Sequence, residues 1–402
     1  MNDSNKKTTQ DRPEDARVVF DSSSPAARPA DAAAKPGLAA RLRAAVGDVR
    51  LWRAAAFWSV LFFAVVLGAG AILWALLDGR PATELASFFG RYRRGAAESQ
   101  APAEPAARRH LDGAPLDAPI SEPAPFAVAI DNMVDARPQS GLTEAALVIE
   151  APVEGGITRF LAIFPGDAKT PKIGPVRSAR PYFLDWAEEY DAVLVHVGGS
   201  PEALEKIAIS DIRDLNEYSR GGFFWRDAVR KAPHNVYTSG EKLAAAAAKI
   251  WPAAPRALAS WLYESDPPLA NRPEKVADLE IPAASDRYAR GWRYDRATGE
   301  YVRIQDGREQ LDADGKVVRA KNVVIQFEQV TILDEVGRRR IGTVGKGEAA
   351  VATAGRVIRG AWQKDSAGGR TRFLSADGAE IVFHPGTTWI QVVPNGTKLV
   401  YE

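Results

Sequence analysis

The feature that most constrains this chain is a long uncharged stretch near its N-terminus. Residues 54–77 carry no charged side chain, and Ser59 is the only clearly polar residue among them. As a helix the stretch would be about 36 Å long, enough to cross the hydrocarbon core of a bilayer, which is roughly 30 Å thick. Trp58 and Trp74 stand near its two ends, where indole rings favour the membrane interface. We therefore predict one transmembrane helix over residues 54–77, which makes the membrane a partner of the chain.

Positive charges flank this stretch unevenly. Four arginines lie within residues 41–53, whereas two lie within residues 80–91. Because the flank richer in positive charge stays in the cytoplasm, the N-terminus is expected inside and the rest of the chain outside. The apolar stretch is too long and begins too late for a cleaved signal peptide. The sequence predicts a single-pass signal anchor in the cell membrane, with extracytoplasmic domains beyond it.

The remaining chain divides by composition and periodicity. Residues 1–53 are polar and lack sustained periodicity, which predicts a disordered cytoplasmic tail, and residues 78–125 form an Ala/Pro-rich linker. Within residues 126–250, short apolar runs alternate with helical spacing, which predicts an α/β or α+β first domain. Residues 251–290 are interrupted by prolines and are interpreted as a connecting segment. Short β-rich runs separated by Gly and Asp turns over residues 291–402 predict a smaller all-β second domain.

Three helix starts are readable in the first domain. Residues 178–189 have helical spacing. Ser200 followed by Pro201 matches an ordinary helix start, with Ser as the capping residue and Pro at the first helical position. Thr238, with Glu241 three residues later, predicts a capping box before an Ala-rich helix.

Composition excludes several classes of function. The chain has no Cys, which rules out disulfides, thiolate metal sites and Cys nucleophiles. The 52 basic and 51 acidic side chains nearly cancel, so no nucleic-acid partner is expected. No HExxH, HxH, GxSxG or Walker A pattern occurs. The sequence therefore predicts no metal site and leaves the cofactor unknown.

Polar residues crowd the ends of the predicted strands in the first domain, where the binding crevice of an open α/β sheet lies. Asp131, Glu154 and His196 are the candidate catalytic residues, because carboxylates and imidazoles tuned by their neighbours act as acids and bases. Arginines would hold phosphate or carboxylate groups bidentately. The candidate ligand-binding residues are Asn132, Arg137, Gln139, Glu150, Thr158, Arg159, Arg177, Ser178, Arg180, Ser200, Arg226, His234 and Asn235.

Each of these residues also has a purely structural interpretation. The arginines can form ion pairs with Asp131, Glu150 and Glu154, and Ser200 can serve as a helix cap alone. His196 follows an apolar run and can be a core histidine with both ring nitrogens satisfied. The sequence leaves both interpretations open.

The order and spacing of several segments are specific. They are Ile130–Asn132, Arg137–Gly141, Glu154–Phe160, Val176–Arg180, His196–Ser200, Pro233–Asn235, Gly299–Arg303, Asn322–Gln326 and Pro385–Trp389. Over residues 125–401 the chain resembles the YerB-like lipoprotein family, a bacterial group with two domains of unknown function. The resemblance implies an outward-facing envelope protein. Members of that family typically carry a lipidated Cys, which this chain lacks, and the transmembrane helix would replace it.

Two functions follow as hypotheses. The first is a binding protein that recognises an anionic cell-envelope ligand or a protein partner through an Arg/Glu/His-lined site in the first domain. The alternative is an envelope hydrolase acting on a glycan or a phosphate-containing polymer. The resemblance supplies no established activity, so whether the protein is an enzyme stays open.

Overall fold

The computed structural model describes residues 18–21, 107–117, 122–251, 259–274, 276, 278–283 and 286–401. The stretch predicted to cross the membrane, residues 54–77, lies outside these ranges. Within them, no helix combines the length and the apolar character needed to cross a bilayer.

The described residues form strands far more often than helices. The strands are β1 Val18–Asp21, β2 Ala107–Arg108, β3 Pro115–Leu116, β4 Phe126–Asp131, β5 Leu147–Pro152, β6 Thr158–Phe164, β7 Val193–His196, β8 Asp214–Asn216, β9 Trp225–Arg226, β10 Val236–Tyr237, β11 Leu279–Ile281, β12 Arg290–Asp295, β13 Glu300–Gln305, β14 Arg308–Glu309, β15 Arg319–Ala320, β16 Asn322–Glu328, β17 Val330–Ile332, β18 Arg339–Ile341, β19 Gly345–Thr353, β20 Arg356–Lys364, β21 Arg372–Ser375, β22 Thr388–Pro394 and β23 Lys398–Tyr401. The α-helices are α1 Pro181–Glu189, α2 Pro201–Ala208, α3 Glu217–Arg220 and α4 Gly240–Ile250. Short 3₁₀ turns occupy Val134–Ala136, Leu142–Glu144, Glu154–Gly156, Gly221–Phe223, Leu269–Asn271 and Asp286–Tyr288.

One ten-stranded mixed sheet runs through both halves of the chain. Its order is β21-β20-β19-β16-β22-β5-β6-β4-β7-β8. The first five of these strands come from the C-terminal half and the other five from the N-terminal half. The halves meet where β22 pairs in parallel with β5, with Thr388 opposite Leu147. The two halves are therefore joined by a full backbone ladder.

A second sheet is built almost wholly from the C-terminal half. Its order is β1-β23-β11-β12-β13-β14, with β15 also paired to β13. The connecting segment contributes β11 to this sheet. All β-strands after residue 286 are linked by turns without an α-helix between them in the described residues, which confirms the sheet-rich second half.

Side chains alternate between the two faces of the large sheet, as the pleat requires. Val128 packs on one face in the same cluster as Trp292 and Trp389 of the C-terminal half. Ala129 points to the other face, where it joins a cluster that contains Phe183 of α1. Both faces are therefore buried, one toward the second sheet and one toward α1.

Two predicted helix starts need correction and one is confirmed. Ser200 does cap α2, accepting a hydrogen bond from the Ala203 N–H at 3.3 Å. The next cap was misassigned by one residue: Ser239, not Thr238, caps α4, because the Thr238 hydroxyl donates to the Phe223 carbonyl instead. Helix α1 begins at Pro181 rather than at residue 178. The reason is that residues 177–179 make strand-like bonds to the sheet.

Candidate functional site

The strand-like segment over residues 177–179 connects the ends of several strands through backbone hydrogen bonds. The Arg177 N–H donates to the Ala129 carbonyl at 2.8 Å, and the Ala179 N–H donates to the Gly198 carbonyl at 3.0 Å. Asp131, at the end of β4, lies opposite Arg159 in the β4–β6 ladder. These backbone bonds gather charged side chains from five separate segments. We call Asp131, Glu154, Arg159, Arg177, Arg180 and His234 the arginine cluster.

Asp131 is fully buried within the arginine cluster. Its Oδ2 lies 2.6 Å from Nδ1 of His234, and its Oδ1 accepts the Met133 N–H at 3.0 Å. An ionised carboxylate can only accept a hydrogen bond, so against such a carboxylate Nδ1 is the donor and Nε2 is the nitrogen left for another partner. No described residue forms a hydrogen bond with that Nε2. Asp131 therefore orients His234 as a carboxylate orients a general base.

Arg177 approaches the same carboxylate. Its Nε lies 3.0 Å from Asp131 Oδ2, close enough for an ion pair, but the angle is not that of a hydrogen bond. The Arg177 side chain is one-fifth exposed. The side chain is therefore partly open to solvent, although its Nε is buried.

Arg180 and Glu154 form a bidentate pair. Arg180 Nε and NH2 donate to the two Glu154 carboxylate oxygens at 2.7 and 2.5 Å. Burial alone would raise the pKa of Glu154, but the hydrogen bonds and charge of Arg180 outweigh it and lower that pKa. Glu154 is thus ionised at neutral pH, which suits holding Arg180 better than donating a proton.

Arg159 is the most constrained member of the cluster. It is 3% exposed, and its NH1 donates to the Ser178 carbonyl at 2.9 Å. Its Nε is buried without a hydrogen-bond partner among the described residues. Burial, and after it the nearby charges of Arg180 and Arg177, lower the pKa of Arg159 to about 10, against the opposing charges of Asp131 and Glu154. The cluster therefore contains three guanidinium groups and two carboxylates, a local surplus of positive charge.

A second polar assembly lies between the two sheets, and we call it the inter-sheet network. Its members are Asn132, Gln139, Glu150, Thr158, Arg303, Gln305, Gln310, Trp389 and Gln391, all buried. Glu150 is at its centre. Glu150 Oε1 accepts from the Thr158 hydroxyl at 2.7 Å, and Oε2 accepts from Arg303 NH2 at 2.5 Å and from the Trp389 indole at 3.2 Å.

Arg303 joins the halves through this network. Its NH1 and Nε donate to the Gln391 and Gln310 side chains at 3.2 and 3.1 Å. The guanidinium also lies over the Trp292 and Trp389 rings, 5.0 and 4.6 Å from their centroids. Burial lowers the pKa of Arg303 to about 10, against the opposing charge of Glu150. Every guanidinium nitrogen is nevertheless paired, as is typical of a structural ion pair.

The network residues of the N-terminal half also form hydrogen bonds with one another. Asn132 Nδ2 donates to the Thr158 hydroxyl at 2.8 Å, and Gln139 Nε2 donates to Asn132 Oδ1 at 3.0 Å. Arg137 Nε reaches the same Asn132 oxygen at 3.2 Å, and its guanidinium lies 4.9 Å from the Tyr288 ring centroid. Burial lowers the pKa of Arg137.

Of the remaining candidate residues, Ser178 contacts the arginine cluster through its backbone, and His196, Ser200, Arg226 and Asn235 have partners outside both assemblies. His196 is fully buried, with Nδ1 2.6 Å from the Gly198 carbonyl and Nε2 bonded to Asp214. Arg226 pairs with Asn235 and Glu217 at 3.2 and 3.1 Å. The Ser200 hydroxyl caps α2, and Ser178 enters the arginine cluster through its carbonyl.

The larger clefts of the described residues do not contain the arginine cluster. One of about 660 Å³ is lined by residues that include Asp266 and His384, and another of about 520 Å³ follows β11 and β12. Nor do the described residues include three His, Asp or Glu side chains grouped as metal ligands. The arginine cluster lines neither of these two clefts.

Sequence reasoning missed the C-terminal partners of the first half. Arg303 lies in one of the predicted β-rich runs, residues 300–304, but nothing marked it as the partner of Glu150, 153 residues earlier. A charged residue between the apolar residues Val302 and Ile304 was the available signal, because a charged side chain that becomes buried needs a partner.

Comparison with known proteins covers both halves. The model described as "Protein of unknown function (DUF3048) N-terminal domain" matches residues 111–251, and the corresponding C-terminal domain matches residues 279–390. A Bacillus subtilis (strain 168) protein named "Putative lipoprotein YerB" is 35% identical over 289 residues, 71% of this chain and 86% of that protein. The crystal structure of the YerB protein from Bacillus subtilis is similar with a TM-score of 0.64 at 32% identity, covering 71% of this chain and 96% of that chain.

Proposed function

Because this chain belongs to the YerB-like family with DUF3048 N- and C-terminal domains, we propose that it is a membrane-anchored extracytoplasmic protein whose arginine cluster binds an anionic envelope ligand. The ligand class is one that presents a phosphate or carboxylate group. Catalysis is not part of this first proposal.

The observation that carries the proposal is Arg159. A buried guanidinium with an unpartnered Nε, crowded by Arg177 and Arg180, is costly unless further negative charge is supplied. Asp131 and Glu154 supply part of it. A bound anion would supply the rest and relieve the repulsion between the arginines.

The test is calorimetric titration of the purified full-length chain with inorganic phosphate. Arg177→Gln should weaken binding at least about tenfold, since a charge-assisted pair to a phosphate is worth roughly 1.5–3 kcal/mol. Arg226→Gln is the matched control, because Arg226 is an exposed arginine with its own partners outside the cluster. Equal affinities for the two variants and the parent chain would refute the site.

The envelope location rests on different support. The Bacillus relative is named as a lipoprotein, and a lipid on that protein would hold it to a membrane. This chain has no Cys to carry such a lipid. In the proposed topology residues 54–77 serve the same purpose as a helix, with the N-terminus in the cytoplasm and both halves outside.

The pairing of β1 with β23 sets a geometric condition on that topology. Val18 lies opposite Tyr401 in this ladder. A single crossing at residues 54–77 would place these two strands on opposite sides of the membrane, so the crossing and the pairing exclude each other in one molecule.

The absence of Cys makes a direct test simple. Asp21→Cys and Asp377→Cys, each in the Cys-free chain, would be exposed to a membrane-impermeant thiol reagent in intact cells. The proposed topology requires labelling at position 377 only. Labelling at both positions would refute the crossing and favour the β1–β23 pairing.

A hydrolase acting on a phosphate-containing polymer or glycan is the second candidate, and one specific observation favours it. His234 is oriented by Asp131, and its Nε2 would take a proton from water, while Arg177, which approaches the same carboxylate, would stabilise developing negative charge. If this holds, His234→Gln should lower turnover of a phosphodiester substrate by about 10²–10⁴-fold. Absence of turnover in the parent chain would refute the hydrolase and leave ligand binding as the only proposed function.

A further inference from the structure

The hairpin formed by β17 and β18 reaches from the C-terminal half to the edge of the arginine cluster. It turns at Gly337, which has a φ of +85°, and Asp334 accepts the Gly337 and Arg338 N–H groups across the turn. A side-chain carbon built on Gly337 would lie 3.7 Å from the Gly155 nitrogen. The turn of the hairpin thus lies against the turn that carries Glu154.

Three consecutive arginines follow this turn, and they differ in their partners. Arg338 is neutralised, with NH1 on Glu202 at 2.6 Å and Nε on Asp334 at 2.5 Å. Arg339 Nε donates to the Val153 carbonyl at 2.9 Å, directly beside Glu154. No described residue accepts a hydrogen bond from the terminal nitrogens of Arg339. Arg340 is exposed on the other side of the strand.

The surroundings of Tyr182 show that Arg339 lies near the arginine cluster. The Tyr182 hydroxyl donates to the Pro152 carbonyl at 2.9 Å. Burial raises the pKa of this hydroxyl, while the charges of Arg180, Arg159 and Arg339, in that order, all act to lower it. Arg339 is therefore a fourth guanidinium around the site, and no carboxylate is paired with it among the described residues.

We propose that Arg339 is a second anion-contacting residue, which extends the site so that its ligand is a polyanion with charges spaced along a chain, such as a phosphodiester polymer. This rests on the proposed anion site. Arg159, Arg177 and Arg180 would hold one charged group, and Arg339 would hold the next. A single phosphate would use only the first contact, so the two kinds of ligand respond differently to changes at position 339.

The test compares inorganic phosphate with a short oligo(glycerol phosphate) on the full-length chain. Arg339→Gln should weaken oligomer binding by about tenfold, the equivalent of about 1.4 kcal/mol, and change phosphate binding less than about twofold. Arg340→Gln is the matched control on the next residue and should change neither. Far-UV circular dichroism and the thermal midpoint of each variant check that it is folded.

The other outcomes are distinct. If Arg339→Gln leaves oligomer affinity unchanged while Arg177→Gln lowers phosphate affinity, the second contact is refuted and the anion site stands. If Arg339→Gln weakens both probes equally, the site has one contact point and the polyanion inference fails. If the parent chain binds neither probe, the proposed site itself is overturned together with this extension.

Discussion

The arginine cluster and the inter-sheet network use the same residue types in opposite ways. In the network, each guanidinium nitrogen of Arg303 has an acceptor and both Glu150 oxygens have donors. In the cluster, Arg159 and Arg177 each keep an Nε without a hydrogen bond, and positive charge is in surplus. Among the described residues of the network, Gln305 Oε1 and Gln391 Nε2 have no hydrogen-bond partner, but these groups are neutral. Full pairing of the charged groups is expected of a structural role, whereas a surplus of positive charge is expected of a site that binds an anion. The contrast teaches that the pairing of a charged residue, not its type, separates the two roles.

The largest expected effect is in the network. Arg303→Met should lower the free energy of unfolding by about 3–5 kcal/mol, because Glu150 would remain buried without its main cation. Denaturant unfolding of the purified chain measures this. The double variant Glu150→Gln with Arg303→Met should recover part of the loss, since no uncompensated charge is left. A single variant as stable as the parent would show that the network is not structural.

A smaller effect is expected at a residue that only caps a helix. Ser200→Ala should cost about 1 kcal/mol, because α2 loses the hydroxyl that accepts the Ala203 N–H. Phosphate affinity should stay within twofold of the parent value. Loss of phosphate binding without loss of stability would instead place Ser200 in the site.

Arg159→Met is expected to affect ligand binding and leave stability nearly unchanged, the reverse of Arg303→Met. Removing a buried arginine relieves its desolvation and its repulsion with Arg177 and Arg180, which offsets the lost bond to the Ser178 carbonyl. The free energy of unfolding should therefore change by less than about 1 kcal/mol, far less than for Arg303→Met. The increase in thermal midpoint caused by phosphate should disappear. A destabilisation as large as that of Arg303→Met would make the cluster a second structural network.

Sequence reasoning recovered local features better than distant ones. The end of β4 at Asp131 and the cap at Ser200 follow from a short apolar run that ends in polar residues and from capping chemistry within a few residues. The start of α1 was misplaced because residues 177–179 pair with strands distant in sequence, which helical spacing does not report. The pairing of Glu150 with Arg303 could not be predicted for the same reason. Their contact depends on the β22–β5 ladder. The register of a parallel pairing between distant segments cannot be predicted from the sequence of either strand alone.

The smallest expected effect concerns Glu154 and pH. Its pKa is lowered in the folded chain, so the stability that it contributes is present above its unfolded pKa and is lost as pH falls through the folded value, below about 4.5. Protonation also frees Arg180 from its carboxylate partner. Sulfate, which keeps its charge in this range, should then bind about two- to fivefold more tightly, as expected for a partly exposed ion pair worth under about 1 kcal/mol.

Glu154→Gln should bind sulfate at this higher affinity already at neutral pH, and comparison with the parent chain separates Glu154 from every other group that titrates. If acidification raises sulfate affinity equally in both chains, Glu154 does not compete with the ligand for Arg180, and Arg180 belongs with the paired arginines of the structural kind.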